Sequence, residues 1–412
     1  MPVTRLQPTS PAVAGAAPGG PDPAGPGQSA FYVRQVREIM AAQPQAYAEI
    51  DEQRELPASI VDALVERGLF RLLLPRSLDG AELRPLDYVP VIEELAKHDA
   101  STAWCVNQNS GCSMSAAYLD PAVAREIFGG PRGILAWGPG PGEAHIVEGG
   151  YRVTATWSFA SGSHHATWLG CHVPVFGPGG QPYCEPDGSP VVRTMLFPKD
   201  RTTFTDIWHV MGLRGTGSDQ YSVTDLFVPE AYSPSRDEEA ARREDALLYR
   251  FSSMQLYASG FAGVALGIAR SVLDAFIELA RDKIPRGAKR TMRDNNVTQA
   301  QVALSQARLF SARAYLFDTL ERATEGAART GRLTLDQRMT IRLAATFAIH
   351  QSVAIVDTLY HAAGATAIFN ANPFERRFRD IHTVVQQLQG RQQHFETVGQ
   401  HLLGLEADTS WV

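Results

Sequence analysis

From Phe31 to about Phe128 apolar residues recur at three- and four-residue spacing, as in "IVDALVERGLFRLLLP" and "VPVIEELAKHDASTAWCVNQNSGCSM", with Pro and Gly at the breaks. That period predicts a helical N-terminal domain over residues 31–132. From about Gly133 the pattern shortens to alternation, "YRVTATWSFA", "TWLGCHVPVF", "VVRTMLF" and "QYSVTDLFVP", separated by Gly, Pro and Asp. Period-two runs of this kind predict an antiparallel sheet domain over 133–246. After Leu247 the helical period returns in four long segments, beginning "MQLYASGFAGVALGIARSVLDAFIELARDKI" and ending "TVVQQLQGRQQHFETVGQHLLG". These predict a C-terminal four-helix bundle over 247–412, its first helix rich in the small residues that permit close approach. The expected class is α+β, mostly α.

The first thirty residues break this order. They are dominated by Pro, Gly and Ala, have no apolar core and no basic start, and predict a disordered tail over 1–30 rather than a secretory leader. With 412 residues, 44% hydrophobic, the remainder is long enough for two or three subdomains around large cores. A net charge of −6 without Lys/Arg runs gives no footprint for nucleic acid. No stretch reaches the ~18 uninterrupted apolar residues of a membrane span, so a soluble, cytoplasmic protein is expected. Cys105, Cys112, Cys171 and Cys184 lack metal-ligand spacing and are expected to be buried free thiols; no metal is expected.

Three stretches carry candidate chemistry. "WSFASGSHHATW" (157–168) sets Ala, Ser and Gly between large aromatic side chains, as a surface against which something flat could lie; an ordinary hairpin with a Ser-Gly turn is the plainer reading. "MGLRGTGSDQYSVTDLFVPE" (211–230) reads as strand, polar loop and strand, or as a solvated turn. "NPFERRFRDIH" (372–382) places His382 two residues after Asp380, at what is expected to be the start of the last helix. No G-x-G-x-x-G follows a strand, so no nicotinamide-binding domain is built in.

In this order, and in these domains, the three motifs resemble the acyl-CoA dehydrogenase superfamily. The resemblance is closest to its flavin-dependent monooxygenase branch, which includes two-component aromatic hydroxylases, dibenzothiophene monooxygenases and amino-sugar nitrososynthases. It implies an enzyme that receives reduced FMN or FAD from a separate flavin reductase, in transient contact through diffusible flavin. Oxygen would add to the flavin as a C4a-hydroperoxide and one atom would pass to a small substrate, aromatic or secondary-metabolite in kind. A homotetramer assembled through the bundle is implied as well.

The resemblance also implies site residues. Trp157, Ser161, Gly162 and Ser163 would lie beside the flavin ring, with Ser161 or alternatively Ser163 supplying a hydroxyl. Arg214, Thr216 and Ser218 would approach from the second loop, and Arg286, in the basic run with Lys289, Arg290 and Arg293, would meet the phosphate across a subunit contact. His382 and Ser161 are the catalytic candidates, His382 as proton donor or acceptor at the flavin oxygen. Many aromatic hydroxylases of this branch carry a substrate-side histidine after "STAW". Here Asn107, Gln108, Asn109, Gly111 and Cys112 stand in that region, with Asn107 and Cys112 as substrate-contact candidates and His98, His164 and His165 as substitutes. "TVVQQLQGR" lacks the carboxylate base of one large group of dehydrogenases, which leaves Glu375 or Asp380 for a thioester desaturase. Nitrogen hydroxylation, or a flavin-fold protein without catalytic activity, would fit the same motifs.

Overall fold

The computed structural model describes residues 27–186, 188–236 and 238–412. The tail expected over 1–30 lies outside the described residues as far as residue 26, and its last three positions are already helical. Helix α1 spans Gln28–Ala42 and is followed by α2 Ala46–Gln53, α3 Ala58–Glu66, α4 Pro85–His98, α5 Ala100–Ser113 and α6 Pro121–Phe128. Asp99 separates α4 from α5: it closes α4 in an extended conformation and caps α5, its Oδ1 accepting from Thr102 N at 2.6 Å.

Seven strands follow: β1 Leu135–Trp137, β2 Gly142–Val147, β3 Gly150–Trp157, β4 Trp168–Phe176, β5 Val192–Pro198, β6 Thr203–Thr205 and β7 Gln220–Pro229. They form one sheet in the order β1-β4-β2-β3-β7-β6, with β5 on the other edge of β4. The sheet is mixed, not antiparallel as alternation suggested, because β4 runs parallel to both β1 and β2. β4 lies across β2 from β3, so residues 158–167 pass over the end of β2 before the chain re-enters the sheet. Alternation reports which face a side chain takes, not strand direction. That crossing segment is "SFASGSHHAT".

The C-terminal helices are α7 Ser253–Asp282, α8 Asn296–Thr330, α9 Leu335–Ala363, α10 Phe374–Val384 and α11 Gln393–Leu402. Capping boxes at Ser252/Gln255 and Thr334/Gln337 start α7 and α9. The fourth bundle helix expected from the sequence is broken in two, and His382 sits in the last turn of α10 rather than at a helix start. The break contains a short 3-10 turn at Leu388–Gly390, where a side chain on Gly390 would meet Val385 O at 2.5 Å. α7 and α9 are apolar and long enough to cross a membrane by composition, but 78% and 61% of their most apolar windows are buried inside the protein.

The small residues of α7 serve packing within the chain. A Cβ on Gly260 would lie 1.8 Å from Asn107 Oδ1 of α5, and one on Gly267 2.3 Å from Glu93 O of α4. Cys105, Cys112 and Cys171 are buried as expected; Cys184 is exposed.

Candidate active site

The site grows from the point where β3 leaves the sheet. Trp157 has no exposed surface; it packs between the rings of Phe197 at 5.9 Å and Tyr221 at 5.1 Å, so it supports the loop from beneath and offers no face to a ligand. The projecting aromatic is Phe159, missed in the sequence. It adopts φ +58°, is 62% exposed and stands edge-on to Trp208 at 6.0 Å. A bulky residue in this backbone region costs about 1–3 kcal/mol and persists only where the surroundings impose it. Gly162 also has positive φ, +77°, but its missing side chain makes room for Asn109, whose Oδ1 would lie 2.5 Å from a Cβ. The close approach there is helix to loop.

Behind Phe159 four polar groups join in a line. Trp104 Nε1 donates to Ser161 Oγ at 3.0 Å, Ser161 and Ser218 hydroxyls are 2.6 Å apart, Ser218 and Thr216 2.7 Å, and Thr216 Oγ1 donates to Leu213 O at 2.8 Å. All three hydroxyl residues are buried. Three residues expected together from two distant motifs therefore do meet. The sequence 211–216 does so without the expected strand: Leu213 takes φ +51° and a 3-10 turn spans Arg214–Thr216. Ser163 Oγ and Arg214 Nε are buried polar atoms with no hydrogen-bond partner; Arg214 otherwise faces Asp51 at 3.7 Å.

A buried ionic brace holds this turn. Asp380 Oδ1 accepts from Leu213 N at 2.6 Å, Arg376 stands 3.8 Å from its other oxygen, and Arg376 also bonds Asp99 and lies 3.9 Å over the Tyr47 ring. Burial pushes the Asp380 carboxyl up to about 6, against the opposing pull of Arg376 and the Leu213 N–H. One brace thus ties the start of α5, α10 and the turn below the hydroxyl line.

On the other side of Trp104, α5 crosses α7. Asn107 accepts from Tyr88 Oη at 2.7 Å, and Cys112 Sγ lies 3.3 Å from Tyr257 Oη. Both candidates are buried at the helix crossing, where Gly111 would clash with the Tyr257 ring if it carried a side chain. Burial pushes the Cys112 thiol up to about 12, so it is a neutral thiol. Asn107 Nδ2 and Ser110 Oγ remain without partners. His172, not singled out in the sequence, faces Trp137 at 4.9 Å and bonds Thr194 at 2.9 Å, and burial holds it neutral.

The remaining histidines and the basic run do not join the hydroxyl line. His382 Nε2 donates to Asp357 Oδ1 of α9 at 2.8 Å and its ring lies 4.4 Å from Phe378. Two residues along a helix are about 200° apart, so Asp380 turns to the site loop and His382 away from it. His164 is engaged by Asp219 at 2.8 Å and by Glu55; His165 bonds Asn109 at 3.0 Å, with burial lowering its pKa to about 3; His98 lies 3.6 Å from Glu94. Arg286, Lys289, Arg290 and Arg293 are exposed around the α7–α8 connection. Glu375 is paired with Arg379 at 2.7 Å.

Helical domain, sheet and bundle meeting at this loop define the class of protein. The family profile for the acyl-CoA dehydrogenase N-terminal domain matches residues 29–124, and that for the acyl-CoA dehydrogenase C-terminal domain matches 259–390. The chain belongs to the acyl-CoA dehydrogenase superfamily, on its flavin-dependent monooxygenase branch, and is an enzyme of the oxygen-incorporating oxidoreductase type. It is 28% identical to indole-3-acetate monooxygenase of Pseudomonas putida over 341 residues, 82% of this chain and 85% of that protein. It is 26% identical to the flavin-dependent monooxygenase oxygenase subunit HsaA of Mycobacterium tuberculosis, over 85% of this chain and 91% of that one. The structure of XiaF from Streptomyces sp. in complex with FADH2 and glycerol superimposes with a TM-score of 0.84 at 25% identity, covering 92% of this chain and 97% of XiaF.

Proposed function

We propose that the chain is the oxygenase component of a two-component system. It takes reduced FMN or FAD from a separate reductase and uses dioxygen to hydroxylate a small aromatic substrate in the cytoplasm. The observation that supports this best is the adjacency of the projecting Phe159 and the buried line Ser161–Ser218–Thr216, an aromatic face beside a polar edge. That pairing fits a flat, edge-polar ring, and the partnerless Ser163 Oγ and Arg214 Nε are further polar atoms of the kind a cofactor could satisfy. When bound, reduced flavin supplies the electrons that activate dioxygen.

The chain's own groups bind, orient and exclude water. Phe159 and Trp208 would offer the ring an apolar face; Ser161 would meet its polar edge; Arg214 carries positive charge suited to an anionic ring or a phosphate. The brace of Asp380, Arg376 and Asp99 keeps the turn in place. His382 is turned toward α9, so the proton-handling role suggested for it has no geometric support in this chain, and Arg286 keeps only a phosphate-binding role across a subunit contact. Asn107 Nδ2 and Ser110 Oγ, between α5 and α7, are the polar groups proposed to meet the substrate's polar end.

A desaturase is disfavoured because it needs a free carboxylate base. Glu375 is held by Arg379, Asp380 is buried against Leu213, and residues 381–390 contain no carboxylate. The named relatives act on indole-3-acetate or are oxygenase subunits, which supports carbon hydroxylation of an aromatic compound. A homotetramer is proposed through the exposed apolar residues Ile368, Phe369, Leu402, Leu403 and Leu405 at the C-terminal end of the bundle. The deciding experiment supplies isotopically labelled dioxygen and enzymatically reduced flavin with phenolic and indolic substrates. Label in the product supports the proposal; quantitative release as peroxide with every substrate opposes it.

A further inference from the structure

The hydroxyl line has a direction, and both of its ends set it. Trp104 Nε1–H can only donate, and a carbonyl can only accept. Thr216 Oγ1 gives its single proton to Leu213 O at 2.8 Å. Ser218, 2.7 Å away, can therefore satisfy Thr216 only by donating to it, and Ser161, 2.6 Å from Ser218, only by donating to Ser218. Trp104 meanwhile donates to Ser161 at 3.0 Å. Each of the three hydroxyl protons is used inside the line. What Ser161 has left is one lone pair.

We propose that Trp104, Ser218 and Thr216 are positioning residues that hold Ser161 as a hydrogen-bond acceptor, so that the site selects reduced over oxidised flavin. The inference rests on the flavin reading above. Reduced flavin carries an N–H at N5; oxidised flavin presents a lone pair there. A Ser161 restricted to accepting complements the first and opposes the second, because turning its proton outward leaves Ser218 without a donor and breaks a buried line. The Leu213 carbonyl also accepts from Trp208 Nε1 at 3.1 Å, and its own N–H is fixed by Asp380 at 2.6 Å, so the end of the line cannot swing aside. The selection would operate in the oxygenase before any substrate binds. An enzyme fed by diffusible flavin needs such a device, since the spent oxidised form competes for the same site.

The test measures dissociation constants for reduced and oxidised FMN and FAD, the reduced forms under anaerobic conditions, together with the midpoint potential of the bound flavin. Ser218→Ala releases the Ser161 proton toward the ligand. It is expected to tighten oxidised flavin about tenfold while leaving reduced flavin nearly unchanged, which lowers the two-electron potential by about 30 mV. Thr216→Val, which keeps the shape of residue 216, should act in the same direction and covers the case in which Ser218→Ala fails to fold. A merely structural role would weaken both redox forms together. An unchanged ratio of the two constants in both variants, with flavin still bound, overturns this inference alone; failure of wild type to bind either form overturns it together with the flavin reading.

Discussion

Asp380 and His382 leave one turn of α10 in opposite directions, Asp380 to the Leu213 N–H at 2.6 Å and His382 to Asp357 at 2.8 Å. The residue that governs the site loop is the aspartate. Asp380→Ala is expected to lower flavin affinity at least tenfold, because it strands the buried Leu213 N–H and takes one of its carboxylate partners from the buried Arg376. His382→Ala breaks a half-exposed pair worth about 0–1 kcal/mol and should leave the ratio of hydroxylated product to peroxide near the wild-type value. Flavin titration and coupled product and peroxide assays read both outcomes.

Ser161→Ala removes the hydroxyl of the line that the flavin reading sets against the ligand, the most exposed of the three. Reduced flavin should bind more weakly by about 1–3 kcal/mol, roughly five- to 150-fold, with little change in melting temperature. Anaerobic fluorescence titration checks it; an unchanged constant would move the contact to Ser163.

Stability should carry a signature of Asp380. Burial raises its folded-state pKa to about 6, above its unfolded value, so the carboxyl holds its proton more tightly when folded. Its contribution is fully present below about pH 4 and is lost as pH rises through about 6. Asp380→Asn cannot titrate, so its stability relative to wild type should increase across that window, as read by urea denaturation at successive pH values.

Gly162→Ala should destabilise the protein by about 1–3 kcal/mol. The backbone is left-handed there, and Asn109 cannot yield because its side chain bonds Leu135 O and His165, each at 3.0 Å. Thermal melting of the variant measures the cost, and Gly149→Ala, with a similar φ but nothing within 4 Å of a Cβ, provides the strain-only comparison.

Replacing both Leu402 and Leu403 with Asp should dissociate the proposed tetramer without unfolding the bundle, since both side chains are exposed in the single chain. Light scattering with circular dichroism separates these outcomes.

Periodicity alone determined the order of helices, sheet and bundle, because apolar spacing reports which face of each element is buried, and burial on a scale of hundreds of residues dominates the choice of elements. The family resemblance of the motifs also brought Ser161, Thr216 and Ser218 to one candidate site. What spacing could not determine was direction. Trp157 and Phe159 are two residues apart in one motif, yet the first closes the core and the second projects, because the chain leaves β3 between them and turns left-handed. Asp380 and His382 are equally close in sequence, and helical geometry separates them once the break over residues 385–392 decides where α10 ends and which side of it faces the loop. The mixed sheet has the same origin: strand direction depends on where residues 158–167 cross, a contact between distant segments that local pattern does not encode. Tertiary structure decided these because each depends on which surfaces meet, whereas the sequence pattern records only that a surface is to be buried.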